Sequence, residues 1–495
     1  MLFPTFSFFL FFAVLFLLYW YVCKTPMMRK ILLLIASYVF YASWDVRFCL
    51  LLFTVTIINY LFALILTREK EYNVRVVVIS IITFLNVLYL FCFKYFYDMM
   101  SFAAYIFPSI LDANVILPKI ASSLFLPIGI SYYTFKCMSY TFDVYGCKMR
   151  IEKKHLIDTL LYVSFFPQLS SGPIVNAAYF FADLPNAISR DWNSARPIEA
   201  DRAMLLIISG LFKKLILSSF LTILVCDKVF AMPSAFNTSE LVLALLSYTF
   251  VIYADFSGYS DLSIAIALLL GFKTPKNFDR PYMSSSVSKF WRRWHISFSS
   301  WLREYVYFPS GGSRHSLFRT SFSIMITMTI AGLWHGLTLP FLLWGMLQGV
   351  PLVIEKIVSD KIKVKKAALI DGNVHLKQKN AVITAIITAV KILLVFIFTN
   401  ISWLIFRSES LGDVKEYVMA LSNVALPFSI TTPVVLILLG WACVMQMPTA
   451  RMREAFLDAY SYLPLPVKTA IFSVAILAIQ LFSTSGVPPF LYFAF

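Results

Sequence analysis

MLFPTFSFFLFFAVLFLLYWYVC, residues Met1 to Cys23, contains no charged side chain and is built mostly from Phe, Leu, Tyr, Trp and Val. A run of this length matches the ~20 apolar residues that an α-helix needs to cross the hydrocarbon of a bilayer. It is too long for the apolar core of a secretory signal, and the basic flank such a signal carries ahead of its core is missing. Lys24, Arg29 and Lys30 follow it instead. The reading extends outward over the chain. Of 495 residues, 60% are hydrophobic, 17% aromatic and only 14% charged, against the ~25% charged residues of soluble domains. Such a chain has lipid as its main solvent, which excludes a soluble globular domain and a disordered one alike.

Further apolar runs fall at about 31–44, 48–66, 74–93, 118–146, 156–181, 203–225, 240–272, 320–354, 381–405, 432–446 and 465–483. Some are long enough for two crossings or a re-entrant pair, so an all-α polytopic protein with about eleven to thirteen membrane segments is expected. The net charge is +16, from 42 Lys+Arg and 26 Asp+Glu. In a membrane protein such an excess belongs to short cytoplasmic loops, not to a nucleic-acid interface. The first, third and fifth loops hold 10 Lys+Arg against 3 in the second and fourth. This predicts an extracytoplasmic N-terminus. Two later basic stretches, 273–319 with nine Lys+Arg and 356–379 with seven, are then both cytoplasmic. The first is expected to be an interfacial region and the second a plain loop. The segment Thr320 to Glu355 between them must enter and leave on one side, as a short hairpin or a re-entrant element. No tandem repeat or internal symmetry of the transporter kind is evident, and a flippase is the weaker reading. The seven cysteines are scattered without a C-x-x-C pair, so neither a metal framework nor a disulfide framework is expected.

Among five histidines, His335 stands out. It lies in Ala331-Gly332-Leu333-Trp334-His335-Gly336, and no Asp, Glu, Lys or Arg occurs between Thr320 and Ile354. An ionisable group at membrane depth is costly and marks a functional candidate, and a neutral imidazole is suited to accept a proton. A histidine that bridges two helices by a hydrogen bond remains an equal alternative on composition. Gly332 and Gly336 leave room on this face for a backbone or a substrate. His295 lies in Ser288 to Tyr305, where Phe290, Trp291, Trp294, Phe298, Trp301, Leu302 and Tyr305 share one helical arc while most charged residues fall outside it. This predicts one amphipathic helix in the cytoplasmic interface. It could be an anchor alone, or its basic residues could collect an anionic donor beside His295. Asp255 and Asp261, in Tyr253-Ala254-Asp255-Phe256-Ser257-Gly258-Tyr259-Ser260-Asp261, are two carboxylates in an apolar span. A structural lock is favoured for them, with Arg280 or Arg293 as partner. Pro127 and Pro173 mark broken helices of the kind that line membrane cavities. No nucleophile elbow, H-E-x-x-H, P-loop or G-x-G-x-x-G occurs. If the chain is an enzyme, direct attack by the acceptor is simpler than a covalent intermediate.

Asp255 to Asp261, then Asn277-Phe278-Asp279-Arg280-Pro281-Tyr282, the Phe290 to Tyr307 segment, Gly311-Gly312 and Gly332-Leu333-Trp334-His335-Gly336, in this order, resemble the membrane-bound O-acyltransferase family. The likeness is to the bacterial branch of alginate O-acetylation proteins, peptidoglycan O-acetyltransferases and the D-alanyl transfer protein of teichoic acids. Leu126 to Tyr145, Phe165 to Val175 and Pro489 to Phe493 extend it over nearly the whole chain, as one membrane domain, 1–495. Ser310 stands where relatives often carry Leu. The resemblance implies many helices around a central tunnel, in a bacterial cytoplasmic membrane. It also implies a thioester donor (acetyl-CoA or another acyl thioester), no bound cofactor, and an extracytoplasmic transferase as partner. By the same resemblance, His335 corresponds to the family's near-invariant histidine and His295 to the second histidine of the branch. Trp334, Asp255, Ser257, Arg280, Tyr282, Arg293 and Arg303 are candidate substrate or donor contacts. Acetyl transfer to a cell-envelope polysaccharide is the expected activity, and D-alanyl transfer to teichoic acid is the alternative.

Overall fold

In the computed structural model of the chain, the described residues are 1–107, 126–189, 199–314, 316–371, 381–424, 427–429 and 432–483, and no strand occurs among them. His315, His375 and the Pro489 to Phe493 segment lie outside the described residues. The helices used below are α1 (Phe6–Leu17), α2 (Pro26–Ala42), α3 (Val46–Arg68), α4 (Tyr72–Leu90), α5 (Ile130–Tyr145), α6 (Leu156–Ser164), α7 (Ala177–Ile188), α8 (Ala200–Leu211) and α9 (Thr238–Leu269). They continue with α10 (Val287–Trp291), α11 (Ile296–Leu302), α12 (Leu317–Leu333), α13 (Leu339–Asp371), α14 (Ala381–Arg407), α15 (Leu411–Ala420), α16 (Thr432–Val444), α17 (Ala450–Ser461) and α18 (Leu465–Phe482). Among the described residues, 7 helices are long and apolar enough to cross a membrane, and three shorter apolar helices (Phe6–Val22, Leu317–Leu333 and Pro433–Val444) accompany them. The protein is an all-α, multi-pass membrane protein, in accord with its composition.

The chain divides into two compact units. One comprises Met1–Ile216, Asp255–Lys276 and Glu454–Phe495; the other comprises Leu217–Ala254 and Asn277–Arg453. In the first, α3 packs against α4, α5 and α6, and α2 against α6. Asn59 and Asn86 exchange side-chain hydrogen bonds of 3.0 and 2.9 Å between α3 and α4, the polar pairing that holds helices together where hydrophobic segregation gives no drive. Pro173 lies in a break between helices, as expected, whereas the residues before Leu126 that would show a break at Pro127 lie outside the described residues. α5 begins after Gly129 at φ 75°, where a Cβ would lie 2.4 Å from the Leu169 carbonyl oxygen. After Ser164 only a short turn, Phe166–Gln168, precedes α7.

The acidic pair of α9 also belongs to this unit, with partners other than those expected. α8 runs into a wide π-type turn, Phe212–Ser218, which turns Lys213 and Lys214 toward α9. Lys213 Nζ meets Asp261 Oδ2 at 2.6 Å, and Lys214 pairs with Asp255. Neither Arg280 nor Arg293 takes this part. Lys213 and Lys214, in an otherwise apolar helical stretch, carry no sequence sign of a long-range acidic partner, whereas the arginines lay nearer along the chain. Backbones approach closely here: a Cβ on Gly210 would stand 2.8 Å from the Gly258 carbonyl oxygen.

In the second unit α12 and α13 form a helical hairpin, and α13 packs on α14. The expected excursion from Thr320 to Glu355 thus takes the hairpin form. Its first arm has 17 residues, about 25 Å of rise, which is shorter than the ~30 Å hydrocarbon layer. Gly332 serves helix packing, since a Cβ there would lie 2.3 Å from the Phe341 carbonyl oxygen; one on Gly345 would lie 2.5 Å from that of Met328. The arms therefore touch backbone to backbone.

Candidate active site

The stretch from Ser288 to Tyr305 is not the single amphipathic helix expected from its aromatic arc. It is two short helices, α10 and α11, broken at His295, whose backbone lies in the left-handed region at φ 40° and ψ 57°. A histidine pays for this conformation in strain, which tends to collect at functional positions. The aromatic arc packs into protein: Phe290, Trp291, Trp294, Phe298, Trp301 and Leu302 are all buried. α10 is fixed from its N-terminal end, where the Glu355 carboxylate of α13 accepts from the Val287 and Ser288 backbone N–H groups at 2.6 and 3.0 Å. Trp291 Nε1 donates to Gln348 Oε1, also of α13, at 3.3 Å.

One residue holds His295 in place. The Asn277 carbonyl oxygen accepts the Ile296 N–H at 2.8 Å. Its side-chain Oδ1 accepts from the Ser297 N–H at 3.2 Å and the Ser297 hydroxyl at 2.9 Å, and lies 3.1 Å from His295 Nδ1. A backbone N–H can only donate, so the Asn277 atom facing it is the oxygen, and Nδ1 must carry the hydrogen it offers to that oxygen. The lone pair then sits on Nε2. The ring is 2% exposed, and burial holds its imidazole well below the ordinary histidine range, so it is a neutral base with a fixed tautomer.

His335 follows α12 in the turn that opens the hairpin, its N–H donating to the Gly332 carbonyl at 3.0 Å. Its ring is 5% exposed and lies among Trp334, Trp344, Phe341 and Phe406 at centroid distances of 4.7, 5.6, 5.8 and 4.8 Å. Trp334 also lies 6.2 Å from the His295 ring and 4.5 Å from Phe298. The two imidazoles thus flank a single indole. A ladder of rings continues from His335 through Trp344 to Trp403 and Trp294, and Tyr282 closes it at 6.0 Å from Trp294.

Of the residues singled out in the sequence, His295, His335, Trp334 and Tyr282 are therefore brought together. Tyr282 donates its hydroxyl to the Thr249 carbonyl at 2.6 Å. Arg280, itself left-handed at φ 52°, reaches the Met447 carbonyl at 3.3 Å, and Arg293 donates to the Met283 carbonyl at 2.9 Å. Arg303 is exposed. Asp255 and Ser257 belong to the other unit, where Asp255 has Lys214 as its counter-ion. Sequence reasoning missed Asn277 and Glu355. Asn277 stood in a quoted motif, but a neutral amide gives no sign of which ring it orients. Among the described residues no group of three or more His, Cys, Asp or Glu side chains could hold a metal ion.

Two buried imidazoles against one indole, in a helical protein of the membrane, define a site suited to proton transfer out of water. Residues 129–399 match the model of the membrane-bound O-acyltransferase family, MBOAT. The chain is 34% identical over 383 residues to a probable alginate O-acetylase AlgI of Pseudomonas aeruginosa, covering 77% of this chain and 68% of that one. It is 30% identical over 416 residues to a peptidoglycan O-acetyltransferase of Helicobacter pylori, covering 78% and 72%. A teichoic acid D-alanyltransferase of Bacillus subtilis is 27% identical over 236 residues, 45% of this chain and 57% of that one. The protein belongs to the membrane-bound O-acyltransferase family and is an O-acyltransferase.

Proposed function

We propose that the protein takes an acetyl group from a thioester donor on the cytoplasmic side of the bacterial inner membrane and moves it outward for O-acetylation of a cell-envelope polysaccharide. The observation that carries the reading is the pair of buried imidazoles on Trp334, within the matched residues of a chain that is similar over more than three quarters of its length to O-acetylation proteins. Similarity to the D-alanyltransferases spans less of the chain, so D-alanyl transfer is the second reading.

In the mechanism His335 acts as general base. It takes the proton of an acceptor hydroxyl as the oxygen attacks the thioester carbonyl carbon; a C–O bond forms, the C–S bond breaks, and the thiolate leaves with a proton returned by the imidazolium. An imidazole among aromatic rings meets little competing water, so the proton goes to the reacting atoms. His295, with its lone pair on Nε2, positions the donor or accepts a hydrogen bond from the acceptor. Arg280, Arg293 and Arg303 supply positive charge for an anionic thioester such as acetyl-CoA. The acetyl group then needs an extracytoplasmic transferase as partner. The N-terminus faces outward in this arrangement.

The test is thioester cleavage of radiolabelled acetyl-CoA by the full chain in liposomes, with wild type, His335→Ala and His295→Ala compared. His335-dependent release of label is expected. Full activity in a folded His335→Ala protein would refute the assignment. Cleavage of a carrier-bound D-alanyl thioester with acetyl-CoA left intact would establish the second reading.

A further inference from the structure

Acyl transfer makes a second demand that a base does not meet. As the acceptor oxygen adds to the thioester carbon, the carbonyl π pair moves onto its oxygen. Where water is excluded, that oxyanion needs a hydrogen-bond donor already fixed in place. His335 is packed by the rings of Trp334, Phe341, Trp344 and Phe406. Of these four side chains only the two indoles can donate a hydrogen bond.

Trp344 has a donor to spare. It is 1% exposed, and its Nε1 has no hydrogen-bond partner among the described residues. Trp291, whose ring packs on it, differs: its N–H is taken by Gln348. A buried N–H without an acceptor is destabilising, and few buried groups are left so, which means that this one needs a cause.

The α12–α13 hairpin fixes the indole against the imidazole. His335 stands three residues after Gly332 and Trp344 one residue before Gly345, the two glycines at which the arms touch. A Cβ on Gly332 would lie 3.0 Å from Gly345 Cα. The ring centroids of Trp344 and His335 are 5.6 Å apart, with the planes at 87°. Trp403, Phe406 and Trp291 pack on the indole at 5.8, 5.0 and 5.9 Å, so it cannot swing toward another acceptor. A donor locked by its neighbours, with its hydrogen uncommitted, meets the requirement for stabilising charge that appears only during reaction.

We propose that the Trp344 indole N–H is a catalytic group, which donates to the oxyanion formed from the thioester carbonyl while His335 takes the proton of the acceptor. This role presupposes the acyl-transfer reading above and holds for any acyl group carried. In the addition step the C–O bond forms, and the indole keeps its hydrogen throughout. When the tetrahedral centre collapses, the C=O bond is restored, the C–S bond breaks and the imidazolium proton goes to the departing thiolate.

The experiment uses the full chain in liposomes, as wild type, as Trp344→Phe, and with benzothienylalanine at position 344, which keeps the bicyclic shape but has sulfur in place of the N–H. Each is assayed with acetyl-CoA and with its dithioester, in which a weakly accepting sulfur replaces the carbonyl oxygen. Both variants should lose about 10²–10³-fold in kcat for acetyl-CoA, the usual effect of removing one oxyanion donor, with KM changed by less than about threefold. The ratio of thioester to dithioester cleavage should fall at least about tenfold from wild type to the benzothienylalanine protein, because only the oxygen substrate used the N–H. An indole that merely supports the fold would lower both substrates alike. Wild-type kcat in either variant, or equal losses on the two substrates, would overturn the inference, while His335-dependent cleavage by wild type would leave acyl transfer standing. A wild type without His335-dependent cleavage of acetyl-CoA or of a carrier-bound acyl thioester would overturn the acyl-transfer reading, and this role with it.

Discussion

Replacing Asn277 by Asp changes the charge at His295 with almost no change of shape. Oδ1 of residue 277 lies 3.1 Å from Nδ1, so a carboxylate there places unit charges about 4 Å apart, worth roughly 4 kcal/mol at an effective dielectric of about 20. Desolvating the new carboxylate takes back part of this, although the Ser297 N–H and hydroxyl still donate to it. A rise of about 1–3 pK units for His295 remains. The sign follows from the protonation state that works. In the wild type burial keeps the ring neutral to well below its ordinary range, so His295 limits the rate only on the acid side of that range. In Asn277→Asp the imidazolium is stabilised and the acid limb moves to higher pH by about 1 unit or more. Asn277→Ala instead releases the tautomer and the left-handed backbone without adding charge. It should lower kcat by about 10–100-fold, the value of ~1.4–3 kcal/mol for an orphaned buried partner, and leave the limb unmoved. The assay is the pH profile of kcat for thioester cleavage in proteoliposomes. Wild-type profiles in both variants would refute the role given to Asn277 and the titration of His295 together.

His335→Ala should lower acyl transfer by about 10²–10⁴-fold, the range for a lost general base, with the detergent-solubilised protein still eluting as folded material. Gly345→Ala forces a Cβ within 2.5 Å of the Met328 carbonyl and should destabilise the α12–α13 hairpin by about 1–3 kcal/mol, read as a lower Tm. Gly440→Ala, with nothing within 4 Å of the added carbon, should raise the Tm, since an alanine in a helix interior is favoured by about 0.5–1 kcal/mol. Lys214→Met strands Asp255 without its counter-ion and should cost about 3–5 kcal/mol, whereas the double variant Lys214→Met, Asp255→Leu should recover most of it; urea or thermal melts of both would decide this.

The membrane class was legible from composition, because a chain this apolar has no other solvent. His335 was legible for a related reason, as the one ionisable side chain in a span of more than thirty residues. His295 was found by its motif, but its surroundings were misread. The aromatic arc does exist, yet a break at one left-handed residue leaves no mark on a helical projection, and the arc faces protein instead of lipid. Long-range pairing was the other blind spot. Asp255 announces that it needs a cation, but nothing along the sequence distinguishes Lys214 from Arg280, and only the wide turn at Phe212–Ser218 selects the lysines.

That turn bears on how the protein enters its membrane. The span Ala200–Ala231 carries Lys213 and Lys214, and the next span, Thr238–Leu269, carries Asp255 and Asp261. A translocon that released either span alone would face two mid-membrane charges at about 2.5–3.5 kcal/mol each. Together the four charges cancel, and only a short linker separates the spans. Biogenesis should therefore hold the earlier span at the lateral gate until its successor has been synthesised, and a photo-crosslinking probe placed beside Lys213 should capture the translocon in ribosome-stalled chains that expose only the earlier span and lose it in chains long enough to expose both.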